Sequence, residues 1–303
     1  MPLICFASPS GGVGRTTLTA NVARELSRAG ARVIALDLDP QNALGAHFGL
    51  DLRDAFGFLA TLRYAADPRA AWRAALRSSP SGVSFLPYGQ LGMDGANANS
   101  ASLIEQPEML GTAVADMLSV SGVTVVADLP AGASPALAAI LPHANIVIVP
   151  LLPHPASVAQ LPAIEGGRFA GGGSQAVVKS RLEAGKLRVL MNQWGAPGKL
   201  AGIIAQGVSQ QMAGRLFGAI RYDEVVPEAA AAQRLLGDFA PASPAAQDMA
   251  GLAAAIVAQI NDTSRDRQPT PGQSQQLRNA YGLTSLAEIM PQTQSPVALK
   301  ADR

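Results

Sequence analysis

Seven short apolar runs constrain this chain's fold more than any other feature of its sequence. They are LICFA from Leu3, RVIALDLD from Arg32, VSFLPYG from Val83, VTVVADLP from Val123, NIVIVPLLP from Asn145, LRVLMNQW from Leu187 and LFGAIRYD from Leu216. Each is apolar almost throughout rather than at alternate positions, the pattern of a strand covered on both faces. Helical signals lie between them, over residues 17–29 (ended by Gly30), 68–77, 107–118 and 244–260, the last with Ser243 as its cap. Residues 89–102 and 166–174 are rich in glycine and serine and read as surface loops. Strands alternating with helices imply an α/β fold with a mostly parallel sheet.

At 303 residues, 48% hydrophobic and 15% charged, the chain can bury one large core, and its net charge of +1 creates no overall field toward nucleic acid or an anionic membrane. The single cysteine, Cys5, lies in an apolar run and reads as a small buried hydrophobe. The first residues lack the basic start and length of a secretory signal. The longest apolar region, 131–153, is interrupted by Pro142, His143, Asn145 and Pro150, so no transmembrane segment is expected and the expected location is cytoplasmic. His47, His143 and His154 have no metal-site spacing, Trp72 and Trp194 read as packing residues, and Arg69, Arg73 and Arg77 read as a solvated helix face. After a folded unit at 1–262, residues 263–274 read as a flexible linker and 275–303 as a tail with a short amphipathic helix near Leu277, Tyr281, Leu286 and Ile289.

The chemistry concentrates in SPSGGVGRTTLTANVA, residues 8–23. Gly11, Gly12 and Gly14 allow left-handed backbone angles and close approach to an anion, so that successive N–H groups and the start of the next helix can surround phosphates. Arg15, Thr16 and Thr17 fill the slot of lysine and serine or threonine in a phosphate-binding loop, which makes Thr16 the expected hydroxyl ligand of Mg²⁺. Asp37 and Asp39 in ALDLDPQN, and Asp128 in VVADLPAG, fall at strand ends, where ligands bind in open α/β sheets.

In this order and spacing, SGGVGRTT, DLDPQ and DLPAG resemble the deviant Walker A ATPases of the MinD/ParA type. Within that group, RVIALDLDPQNALGAHFG, DLPAGASPALAAILPHA and FAPASPAAQDMAGLA are similar to the BcsQ family, ATPase-like subunits encoded with bacterial cellulose synthase. The resemblance implies a P-loop NTPase fold with three layers, α/β/α. It implies ATP or ADP held through Gly11, Gly12, Val13, Gly14, Arg15, Thr16 and Thr17, with Mg²⁺ on Thr16 and, through water, on Asp37 and Asp128. Asp39 would orient the attacking water and Arg15 would stand in for the loop lysine. Gly132 would sense the γ-phosphate, Asn192 would read adenine, and the backbone around Tyr222 would close over the base. It further implies a homodimer, partners in the cellulose secretion complex (BcsR-like or BcsE-like subunits), no specific nucleic acid, and recruitment through partners to the inner membrane or cell pole.

The chain departs from that pattern at two positions. Ser10 stands where the family carries a signature lysine that reaches across the dimer, and Arg15 stands in place of the loop lysine; all four lysines lie at Lys179 or later. A serine supplies no trans cation, and a planar, forked guanidinium cannot sit as a compact donor between phosphates. Nucleotide binding with slow or absent hydrolysis is therefore the expectation. The alternative is an active MinD/ParA-type ATPase that drives spatial positioning or DNA partition, although Lys199, Arg215, Arg221 and Arg234 are too dispersed for a phosphate-neutralising patch.

Overall fold

The computed structural model describes residues 1–89, 93–171 and 174–262; the linker expected at 263–274 and the tail at 275–303 lie outside the described residues. The apolar runs form β1 (Leu3–Ser8), β2 (Arg32–Asp37), β4 (Ser84–Leu86), β5 (Val123–Ala131), β6 (Ile146–Leu151), β7 (Leu187–Trp194) and β8 (Leu216–Arg221), with a two-residue β3 (Arg77–Ser78). They make one sheet in the order β3-β4-β2-β5-β1-β6-β7-β8. All adjacent pairs are parallel except β3 with β4, which shields that edge of the sheet.

Two apolar cores cover the two faces, and the pleat of β1 divides its side chains between them. Leu3 and Cys5 join Phe58, Trp72, Leu110, Leu137 and Val208 on one face. Ile4 and Phe6 join Leu18, Leu26, Met249 and Ile256 on the other. The fold is thus the three-layer α/β/α sandwich expected, with helix α1 (Arg15–Arg28) and the helix Pro244–Asp262 together on the second face. Ser243 caps the latter by accepting from the Ala246 N–H, as its sequence position suggested. Cys5 is fully enclosed, and burial pushes its thiol up to about 12, which fits a packing residue.

Two local readings need correction. Residues 89–102 were expected as a loop, yet Met93–Glu105 is an α-helix. The buried Leu103 and the Asn99 amide, which donates to the Gly89 carbonyl, anchor this segment, and such packing outweighs the roughly 1 kcal/mol cost of Gly95 inside a helix. The helix expected to run to Arg77 stops at Ala75; Arg77 belongs to β3, with its guanidinium over the Phe56 ring, so it shares no helix face with Arg69 and Arg73. In the other expected loop, Arg168–Ala170 forms a single 3-10 turn that buries Phe169.

The backbones of Gly57 and Gly89 meet without room for a side chain. A Cβ on Gly57 would lie 2.3 Å from the Gly89 nitrogen and 2.6 Å from the Pro87 oxygen. Since these are main-chain atoms, Gly57→Ala is expected to cost about 2–3 kcal/mol by overpacking. Chemical denaturation checks this; an unchanged midpoint would mean that the two segments separate easily.

Candidate nucleotide site

Parallel pairing of β2, β5 and β1 brings the motifs together. Asp37 is the register partner of Asp128, and Asp128 is also the partner of Phe6, two residues before the end of β1. The β1–β5 register shifts between Phe6 and Ser8, after which Ser8 pairs with Ala131 beside the loop. The site therefore occupies the carboxyl edge of the central strands, as expected for an open α/β sheet.

Gly12 and Gly14 adopt φ of 75° and 85°, the left-handed angles that the loop needs. Gly14 is the N-cap of α1 and no side chain caps that helix, so its first N–H groups face the loop without side-chain partners. Val13 is buried, whereas Gly11 and Gly12 are exposed at the mouth. On the inner side, Asn192 at the end of β7 donates its amide to the Val13 carbonyl at 2.9 Å. A Cβ on Gly14 would stand 2.5 Å from that same amide nitrogen. Asn192 thus clamps the loop in this conformation, with the second N–H of its amide left over.

Arg15 does not point into the cradle. Its side chain turns back beneath the loop and is only 7% exposed. Nη1 donates to Ser8 Oγ at 2.8 Å, Nη2 donates to Asp39 Oδ2 at 2.7 Å, and Nε lies 3.6 Å from Asp128 Oδ1. Ser8 Oγ in turn donates to the Ser10 carbonyl at 2.5 Å. Ser8 is a contact of Arg15 that the sequence reading missed; a lone hydroxyl at a strand end carries no pattern to reveal it.

The other expected residues have specific partners. Thr16 Oγ1 donates to Asp128 Oδ2 at 2.5 Å. Asp37 is wholly buried and accepts from the N–H groups of Asp39 and Leu44, so it fixes the backbone of the segment that carries Asp39. Asp39 Oδ1 accepts from the Gln41 N–H. Gly132, at φ 71°, gives its N–H to the Ser8 carbonyl at 2.8 Å. Tyr222 is 40% exposed and its N–H binds the Trp194 carbonyl, which holds the segment after β8 beside the end of β7.

Burial dominates the titration of the two deepest carboxyls. Asp128 is pushed up to about 7 by desolvation, against the Thr16 hydrogen bond and the Arg15 charge, which favour the ionised form. Asp37 is raised well above the usual carboxylate range by desolvation and then by the charge of Asp128. A carboxyl whose folded value exceeds its ordinary 3.8 contributes stability that is full below 3.8 and is lost as pH rises through about 7. Between about pH 6 and about pH 8 the Asp128 contribution falls by on the order of 1 kcal/mol, or a few degrees in unfolding temperature. Thermal melts of the wild type and Asp128→Asn check this: the amide variant should lose that part of the slope, and an identical slope would contradict it.

Thr16 and the three aspartates offer hard oxygen donors, the type that Mg²⁺ takes. Two of those oxygens, Asp39 Oδ2 and Asp128 Oδ1, face the guanidinium instead, and Thr16 is committed to Asp128. Among the described residues no group of three or more His, Cys, Asp or Glu is disposed as a metal centre. With Arg15 in this rotamer the residues do not fit a divalent ion.

Comparisons with known proteins identify the family and the fold. The family model described as "Cellulose biosynthesis protein BcsQ" matches residues 1–165. The cellulose biosynthesis protein BcsQ of Salmonella typhimurium is 29% identical over 255 residues, covering 84% of this chain and 93% of that protein. Among solved structures, the septum site-determining protein MinD of Pyrococcus horikoshii, complexed with Mg-ADP, aligns with a TM-score of 0.64 at 20% identity, covering 88% of this chain and 99% of its own. The cobyrinic acid a,c-diamide synthase of Mycobacterium smegmatis, with a bound ATP analogue and magnesium, aligns with a TM-score of 0.60 at 21% identity, covering 88% and 98%. Among the described residues no helix is long and apolar enough to cross a membrane. With its MinD/ParA-type P-loop fold and a family match over more than half its length, the chain belongs to the BcsQ family of cellulose biosynthesis proteins.

Proposed function

We propose that this protein is a nucleotide-binding, dimerising subunit that regulates or positions bacterial cellulose synthesis and secretion machinery, and that hydrolyses ATP slowly or not at all. The observation that carries the reading is the glycine cradle: Gly12 and Gly14 in left-handed angles, next to a helix start that no side chain caps. The family match supplies the cellulose context. In this reading the N–H groups from Gly11 to Thr17 hold the phosphates of ATP or ADP, and Asp39 is the residue beside the attacked phosphate. Gly132 responds to the γ-phosphate, and Asn192 and the Tyr222 backbone close over the base. Thr16, Asp37 and Asp128 are the oxygens that Mg²⁺ would use, and it could take them only if Arg15 released Asp39 and Asp128. Two copies would pair across their loops, and the nucleotide-bound dimer would engage BcsR-like or BcsE-like subunits from the cytoplasm, at the inner membrane or cell pole.

Titration calorimetry of the full chain with ADP or a non-hydrolysable ATP analogue tests the first step. A saturable heat is expected, with affinity at least tenfold weaker in Gly14→Ala, because that substitution adds a Cβ at φ 85° within 2.5 Å of Asn192 Nδ2. No heat and no thermal shift in the wild type would leave the reading without its central event.

A further inference from the structure

We propose that Arg15 is the resident cation of the nucleotide site, occupying the electrostatic place of a divalent metal, so that nucleotide binds here without a requirement for Mg²⁺. The inference rests on the nucleotide-binding reading above and deepens it. A single guanidinium reaches oxygens on three separated segments: Ser8 on β1, Asp39 beyond β2 and Asp128 within β5. Five N–H donors in a rigid fork make that span feasible, whereas one ammonium on a flexible stem would serve a single point. The side-chain exposures of Arg15, Asp39 and Asp128 are 7%, 9% and 0%, so bulk water does not screen these charges.

The same contacts organise the loop. Arg15 holds Ser8, and the Ser8 hydroxyl holds the Ser10 carbonyl, so a hydrogen-bonded line runs from Asp39 through Arg15 to the residue that replaces the signature lysine. Along α1 the next cations are committed elsewhere, Arg24 to Asp238 and Arg28 to Glu25. Arg15 Nε and Asp128 Oδ1 are both buried without a hydrogen-bond partner and face each other at 3.6 Å, an ion pair with space left between its members. The arginine's charge balances the protein's own carboxylates, and the phosphates are left to the main-chain N–H groups of the loop. A metal ion would have to displace the guanidinium from both aspartates, so adding Mg²⁺ brings no net gain of cationic contacts.

The test is the affinity of the full chain for ADP, measured by calorimetry in excess MgCl₂ and again in excess EDTA. Dissociation constants in the two buffers are expected to agree within about threefold. In Arg15→Lys, which frees at least one aspartate, Mg²⁺ is expected to strengthen binding by about tenfold or more. Manganese resonance with ADP present adds an independent readout: the wild type should leave Mn²⁺ in its free-solution state. Wild-type binding tenfold tighter in magnesium, or protein-bound Mn²⁺, would overturn the resident-cation inference while leaving nucleotide binding intact. Absence of binding in both buffers would instead remove the nucleotide reading itself. The wild-type comparison stands even where Arg15→Lys fails to fold.

Discussion

Arg15→Met is expected to lower the unfolding free energy by about 3–5 kcal/mol at mildly alkaline pH. The substitution preserves much of the stem's bulk but removes the only countercharge that the described contacts give Asp39 and Asp128, with 9% and 0% of their side chains exposed. It also leaves Ser8 Oγ without its donor. Breaking one member of a buried ion pair is costly because the partner's desolvation is then uncompensated. The carboxyls can escape by taking up protons, and Asp128 already sits near 7, so the penalty should shrink on going from about pH 8 to about pH 5.5. Urea unfolding at the two pH values checks both size and sign. A midpoint unchanged at the higher pH would show that water or backbone movement solvates these aspartates when the guanidinium is gone.

The second large effect concerns rate. ATP turnover is expected to lie on the order of 10³–10⁵ below that of a relative with both lysines, the range that a trans cation contributes in phosphoryl transfer. Ser10 supplies no charge to a partner's nucleotide, and Arg15 directs its own inward to Asp39. Asp39 Oδ2, the oxygen expected to orient water, is engaged at 2.7 Å by that guanidinium. Restoring both amines in the double variant Ser10→Lys, Arg15→Lys should raise phosphate release by roughly 10²-fold or more, with Asp39→Ala as the control that removes it. Wild-type turnover matching the double variant, and lost in Asp39→Ala, would show that the arginine fork performs the lysines' work.

Much of the site was legible because its determinants are local. Glycines at 11, 12 and 14, between a strand and a helix, announce a loop that needs positive φ, and Gly12 and Gly14 adopt it. Asp37 closes β2 where its apolar run stops, whereas β5 runs past Asp128 to Ala131, and the parallel register sets the two aspartates opposite each other. The helix at Met93–Glu105 was hidden because glycine and serine content argues for a loop, while one anchor, Leu103 in the core, depends on chain brought in from elsewhere and the other, Asn99 on the Gly89 carbonyl, leaves no pattern in residue type. The antiparallel β3 was hidden by its length of two residues, too short for any periodicity.

The sequence by itself determined the layered α/β fold, the family, the position of the phosphate loop and the loss of both amines, since each is written in residue type and spacing along a short stretch. The direction of Arg15 was decided only by tertiary structure. A guanidinium's rotamer follows the nearest buried carboxylates, and those come from segments 24 and 113 residues farther along the chain that the parallel sheet sets side by side.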